Sequence, residues 1–441
     1  MSYSRRTGVC ILLFSIACFA QTDSQPEHVL NLSLSKAIEI ATSSQGDANV
    51  RLAHETEGLS HARYIEARAN LLPSLDGSIA EQNQTVNPQA LGLRFESPLF
   101  TVPDEVGPFS TFDARVRLNQ NILNFNAIRQ WQGSRADMQA AKYETESIRA
   151  RVAGSVARLY AAALRADGQV AMLKAAIRDA EALRELSSHR VSAGEGTELD
   201  VNRADLSVTR ARQRMVVAET ERIHTVLELV KVLNLDWATT LQFSDKLDST
   251  TPEPPGATES LGLALQSRPD FKMQENRIEG AHRYQSAAKM ERVPAIVAYG
   301  DYGVLEGVQT HVVGVALRVP LFDGYRIKSE EMRAASVARQ EEIRRNDLRR
   351  EVELQIRKAL VSLDATRQEL QVAEQAIALA TEELGRARRR YEAGLTNNLE
   401  LIDAETQLEI ARAERITALF DRANARIDWA VATGTIMKMT F

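Results

Sequence analysis

Few residues in this chain have the type and spacing for chemistry. The seven histidines are scattered. His54 and His61 share a helical stretch, but no acid-and-histidine set lies beside them, so they read as surface residues. Gly194-Glu195-Gly196 has a glycine pair but no preceding strand, which a phosphate loop requires. Cys10 and Cys18 both lie in the first 20 residues; export cleavage after Ala20 removes them and leaves neither a disulfide nor a cysteine metal site. What remains is one short stretch, Arg390-Tyr391-Glu392-Ala393-Gly394-Leu395-Thr396-Asn397-Asn398-Leu399-Glu400-Leu401-Ile402-Asp403-Ala404. It reads as a sharp turn between two long helices, with a phenol before the turn and two carboxylates after it. Acids in a first helical turn are favoured by the helix dipole whatever else they do.

The same pattern occurs about 200 residues earlier, from Arg190-Val191-Ser192-Ala193-Gly194 to Leu199-Asp200-Val201 and Ala204. Ala211-Arg212 and Ala411-Arg412 extend the match. The chain therefore carries an internal repeat, with Gly194 and Gly394 at turns expected to need positive φ.

Those turns need long helices to hold them. From about Ala127 to Arg190 apolar residues recur at spacings of three and four. A helix of roughly 60 residues is about 90 Å long, beyond an ordinary globular helix. Thr197 and Asp200 give a capping-box start to the return helix. Val201, Ala204, Val208, Ala211, Met215 and Ala218 then form a coiled-coil seam. The strongest periodicity runs through Ala359, Leu363, Thr366, Leu370, Ala373, Ile377, Ala380, Leu384, Ala387 and Tyr391. Leu401, Ala404, Leu408 and Ala411 return from it.

Strands precede each hairpin. Pro73 stops a helix, and alternation follows over 74–85. In 111–123, Phe112, Ala114, Val116 and Leu118 face opposite to Asp113, Arg115, Arg117 and Asn119. Strands at 295–304 and 311–322 repeat the arrangement, with Val313, Val315 and Leu317 on one face. Such alternation means a solvated sheet or a lipid-facing barrel. The chain thus divides into a first repeat over 21–243 (hairpin 127–235), a proline-containing linker over 244–260, and a second repeat over 261–441 (hairpin 325–434).

Composition sets outer bounds. Of 441 residues, 26% are charged and 44% hydrophobic, as expected for an ordered protein. A formal charge of −5 gives no footprint for nucleic acid. Arg5 and Arg6 precede an apolar run from Val9 to Ala20, the form of a signal peptide over 1–20. Lipidation at Cys18 is the competing reading of this segment. If the strands enter a membrane, four cannot close, since the smallest lipid barrels use about eight. A shared, oligomeric barrel is then required.

With those residues in view, the chain resembles the TolC-like outer membrane efflux protein family over essentially its whole mature length. The resemblance rests on Leu34-Ser35-Lys36-Ala37-Ile38, Ala69-Asn70-Leu71-Leu72-Pro73-Ser74, Val319-Pro320-Leu321-Phe322-Asp323-Gly324 and the two tips. It implies a mainly helical fold with β elements: a long coiled-coil helical barrel in the periplasm, and four strands per chain contributing to a twelve-stranded barrel shared by a homotrimer in the outer membrane. It implies a passive export duct, not an enzyme, without cofactor or metal. Its partners would be a periplasmic adaptor and an inner-membrane pump, as in multidrug export or type I secretion. By the same resemblance Glu400 and Asp403 line the periplasmic gate, Tyr391 and Asp200 latch the hairpins together, and Gly194, Gly394, Leu199 and Leu399 sit where the adaptor touches. Thr396 departs from the family pattern, which often has arginine there. The competing reading is an extracytoplasmic coiled-coil structural or adhesive protein.

Overall fold

Two prolines set where the strands begin. In the computed structural model, which describes residues 29–88, 90, 92, 105–247 and 254–441, helix α1 (Leu34–Thr42) is followed by α2 (Ala48–Ala69), and Pro73 then leads into strand β2 (Ser74–Val86). The signal segment 1–20 and Cys18 lie outside the described residues. In the second half, α5 (Ala257–Ser267) and α6 (Pro269–Met290) precede Pro294 and strand β5 (Ala295–Leu305). A proline supplies no N–H and pushes the residue before it out of the helical region.

The strands form one antiparallel sheet in the order β2, β3 (Val106–Leu123), β5 and β6 (Val308–Arg318). Ser78 pairs with Arg115, Arg115 with Gly303, and Gly303 with Thr310. That register puts Asp76, Asp113, Arg115, Arg117 and Asp301 on one face. Asp301 pairs with Arg117 at 3.2 Å and Arg115 at 3.6 Å. The other face carries Leu75, Ile79, Phe112, Val116, Tyr302, Val313, Val315 and Leu317, all exposed. β3 starts earlier than expected, because Phe109 still pairs with Gln84. β6 stops at Arg318, short of the expected 322, because Pro320 has no N–H to continue the ladder.

Two very long helices leave the sheet. α3 (Phe125–Ser192) has 68 residues and α7 (Arg326–Glu392) has 67, each therefore about 100 Å long. α4 (Glu198–Val232) and α8 (Asn398–Thr433) return from the turns. The seams are narrow and alanine-rich. Ala204, Val208, Ala211 and Met215 are buried on α4, and Leu401, Ala404, Leu408 and Ala411 on α8. Such seams allow close lateral packing but build no thick core.

The largest core lies where the helices pass a short parallel pair, β1 (Val29–Leu32) and β4 (Thr240–Phe243), which periodicity alone did not indicate. Tyr160 is fully buried there among Leu32, Leu34, Ile38, Leu229, Leu233 and Ile427. Its hydroxyl is within 2.9 Å of the Leu32 carbonyl and 3.0 Å of Asp245. Burial, then the Asp245 contact, raise the phenol pKa, so it remains a donor. Asp245 also accepts from the Leu34 amide at 2.7 Å. The start of the expected linker is thus anchored, and α5 begins at Ala257 within the span assigned to it. Among the described residues, no helix is long and apolar enough to cross a membrane.

Candidate gate at the hairpin tips

Both turns are built alike. Gly194 has φ +78° and Gly394 φ +71°, the left-handed region that favours glycine. The amide of Glu195 bonds the Arg190 carbonyl at 2.9 Å and that of Gly194 bonds Val191 at 3.0 Å. Leu395 to Arg390 and Gly394 to Tyr391 repeat this at 2.9 and 3.0 Å. Each is a Schellman closure, which satisfies the last carbonyls of the incoming helix.

The outgoing helices start differently. Asp200 accepts from the Thr197 amide at 3.2 Å and from its hydroxyl at 2.8 Å. At α8 the N-cap is Asn397, whose side chain accepts from the Leu399 amide at 3.1 Å. Leu199 and Leu399 are more than half exposed.

The two hairpins meet through a small apolar cluster drawn from all four helices: Leu183, Ala204, Ala387, Tyr391, Leu401 and Ala404. Tyr391 is buried in it. Its hydroxyl lies 3.1 Å from that of Ser187. The guanidinium of Arg190 stacks over the Tyr391 ring, 4.6 Å from its centroid, and donates to the Tyr391 carbonyl. A second tie comes from Asn398, fully buried, whose amide donates to the Asp200 carbonyl at 2.6 Å.

The expected Tyr391–Asp200 hydrogen bond is therefore not the one made. The Asp200 carboxylate is turned back onto Thr197 to cap its own helix, and Tyr391 points toward α3. The hairpins are joined by Ser187, Arg190 and Tyr391, and by Asn398 with the backbone of Asp200. Of these, Ser187 and Asn398 were not singled out from sequence. Ser187 had one weak signal, a hydroxyl four residues after Leu183 on a buried seam. Asn398 had none, since it follows another asparagine in a turn.

Glu400 accepts from the Thr396 hydroxyl at 2.6 Å and pairs with Arg390 at 3.2 Å. Arg390, from before the turn, thus balances the charge of Glu400. Asp403, three residues after Glu400 on α8, is exposed, and no ion pair meets it among the described residues. Arg388 binds Glu392 at 3.1 Å. Among the described residues no cluster of three histidine, cysteine or acidic side chains has the form of a metal site.

A four-stranded sheet joined to two long helical hairpins has counterparts among known proteins. The description "outer membrane efflux protein" matches residues 40–235 and 260–435, most of the chain. The chain belongs to the outer membrane efflux protein family. Membership places it in the outer membrane, with its helical part in the periplasm, in a family of channels rather than enzymes. The alkaline protease secretion protein AprF of Pseudomonas aeruginosa is 20% identical over 333 residues, 73% of this chain and 69% of that one. Two solved structures share the fold. VceC from Vibrio cholerae superposes with a TM-score of 0.77 at 19% identity, over 91% of this chain and 96% of that one. The CmeC channel of Campylobacter jejuni gives 0.76 at 17% identity, over 98% and 94%.

Proposed function

We propose that this efflux-family protein is a passive exit duct, a homotrimer that carries substrates from periplasm to exterior and is gated at the hairpin tips. The observation that carries the reading is the sheet. Its edges, β2 and β6, are 13 and 11 residues long and have no second partner strand among the described residues. Its apolar face is exposed. In lipid every backbone group must be paired, so the edges must meet other copies. Three four-stranded sheets make a barrel of about twelve strands, with Arg115, Arg117 and Asp301 in a wet lumen.

The helices support the same assembly. Met332, Ile343, Leu354, Val361, Val372 and Leu379 are exposed on α7. They recur at steps of eleven and seven residues, which keeps them in one narrow stripe along the helix. A stripe of that length in water calls for a neighbouring helix, and a second copy of the chain supplies one.

At the tips, three copies bring three Asp403 carboxylates toward one axis. Rings of carboxylates attract cations and repel anions. Glu400 contributes less to such a ring, because Arg390 already balances it. The Arg190–Tyr391 and Asn398–Asp200 contacts hold the hairpins together in the closed arrangement. Leu199, Leu399 and the glycine turns form the end face that a periplasmic adaptor meets, with an inner-membrane pump supplying the energy. AprF is named for alkaline protease secretion, and by that likeness secreted protein is one cargo class for this duct. The structural or adhesive alternative offers no reason for open, apolar-faced strands.

Membrane fractionation with mass measurement of the detergent-extracted protein tests this reading. A trimer in the outer membrane fraction is expected. Recovery as a soluble monomer would overturn it.

A further inference from the structure

Above the tips the two hairpins leave a groove of about 320 Å³. Its walls include Met172 and Asp179 of α3, Arg203 and Leu206 of α4, and Ile402 and Glu405 of α8. Most charges along it are already matched. Arg214 pairs with Glu409 at 2.7 Å, and Arg412 lies 3.9 Å from Asp179. Glu405 is different. It is half-buried, and among the described residues no hydrogen bond or ion pair meets it. The charged groups facing it are Asp179 from α3, Arg388 from α7, Arg203 and Arg210 from α4, and Glu409 and Arg412 along its own helix.

We propose that Glu405 is a proton-controlled positioning residue for the seam between the hairpins. Protonated, it settles into the groove and lets α8 seat against α3 and α4. Ionised, it repels Asp179 and turns toward water, which parts the hairpins. The geometry makes the charged form costly twice over: the carboxylate is partly removed from water, and Asp179 on the facing wall of the groove is another acid. Burial first and Asp179 second raise its pKa from the ordinary 4.5 to about 7, against a smaller lowering by Arg388. In the parted arrangement the side chain returns to water and to its ordinary value.

The sign follows from proton binding. Between about 4.5 and 7 the seated arrangement holds more protons than the parted one. The seam is therefore tightest in acid and loosens as pH rises through that window, with no further change above it. From pH 5 to pH 8 the equilibrium should shift toward parting by about tenfold or more. The seam lies next to the Tyr391 cluster, so loosening it favours opening. That last consequence rests on the channel reading; the seam itself does not.

Hydrogen exchange of the full-length protein in detergent tests the seam without requiring conduction. Amides of 398–408 are compared between wild type and Glu405→Gln at the same pH, which cancels the intrinsic pH dependence of exchange. At pH 8 the variant should exchange about tenfold more slowly than wild type. At pH 5 the two should agree to within a few-fold. Asp179→Asn removes the acid opposite Glu405 along with the 3.9 Å contact to Arg412, and should still slow exchange at pH 8 because Glu405 no longer meets a like charge there. Equal rates for all three proteins at pH 8, or faster exchange in both variants at that pH, would overturn the proposal. Loss of conductance in bilayers with this exchange pattern intact would count against the channel and not against the seam.

Discussion

The guanidinium of Arg190 lies over the ring of Tyr391, 4.6 Å from its centroid, and donates to the carbonyl of the same residue. One side chain from the first hairpin thus caps the C-terminal end of a helix in the second. A desolvated cation–π contact is worth about 1–2 kcal/mol, and a hydrogen bond from a charged donor about 1.5–3. Arg190→Ala should therefore raise the open fraction of the channel by roughly tenfold or more. Tyr391→Phe removes only the Ser187 contact and should cost about 1 kcal/mol. Single-channel recording ranks the two; an equal or reversed ranking would contradict the clamp.

Asn398 supplies the second tie. It is fully buried, and its amide reaches the Asp200 carbonyl at 2.6 Å. Asn398→Ala should weaken the junction by about 1–3 kcal/mol. Asn398→Asp should be worse, since a buried carboxylate would then face a carbonyl oxygen. Asp200→Ala, by contrast, keeps that carbonyl and removes only the helix cap. Its cost should be about 1 kcal/mol, seen as a small loss in thermal stability.

The exposed stripe on α7 separates folding from assembly. Val361 and Val372 are 71% and 64% exposed in the single chain. Val361→Asp with Val372→Asp should leave the helical content of the chain unchanged and dissolve the trimer. Circular dichroism and native mass measurement read the two effects independently.

The two faces of the sheet should respond oppositely to charge. Val313, 87% exposed, is central on the apolar face of β6. Val313→Arg should destabilise the membrane-inserted protein by about 2–4 kcal/mol. Ser78→Glu lies on the other face, directly opposite Arg115, and should be tolerated. Urea titration in lipid vesicles measures both.

Much of this molecule is legible in its sequence because it is periodic. The seam from Ala359 to Tyr391 reads off as a helix, and each of its residues is buried or half-buried. Phe112, Val116 and Leu118 declare one face of β3 by alternation alone. The glycine turns are legible because a repeat shows each of them twice. What stays hidden depends on how two hairpins are rotated relative to each other. Arg190 enters the sequence only as the first residue of a repeated turn, and only the phase of α3 against α7 lays it on Tyr391. Asp200 looked like a cross-hairpin partner, yet capping its own helix is a local choice that competes with any distant one. β1 and β4 are each four residues long, too short to show a period. Glu405 carries no motif; its character comes from Asp179, more than 200 residues away in the chain.

Single-channel conductance of the purified protein in planar lipid bilayers tests the central claim most directly. The expected result is discrete conductance steps that favour cations, with Asp403→Asn lowering that preference more than Glu400→Gln. Membrane-inserted protein that gives no steps, with or without Arg190→Ala, would contradict the account.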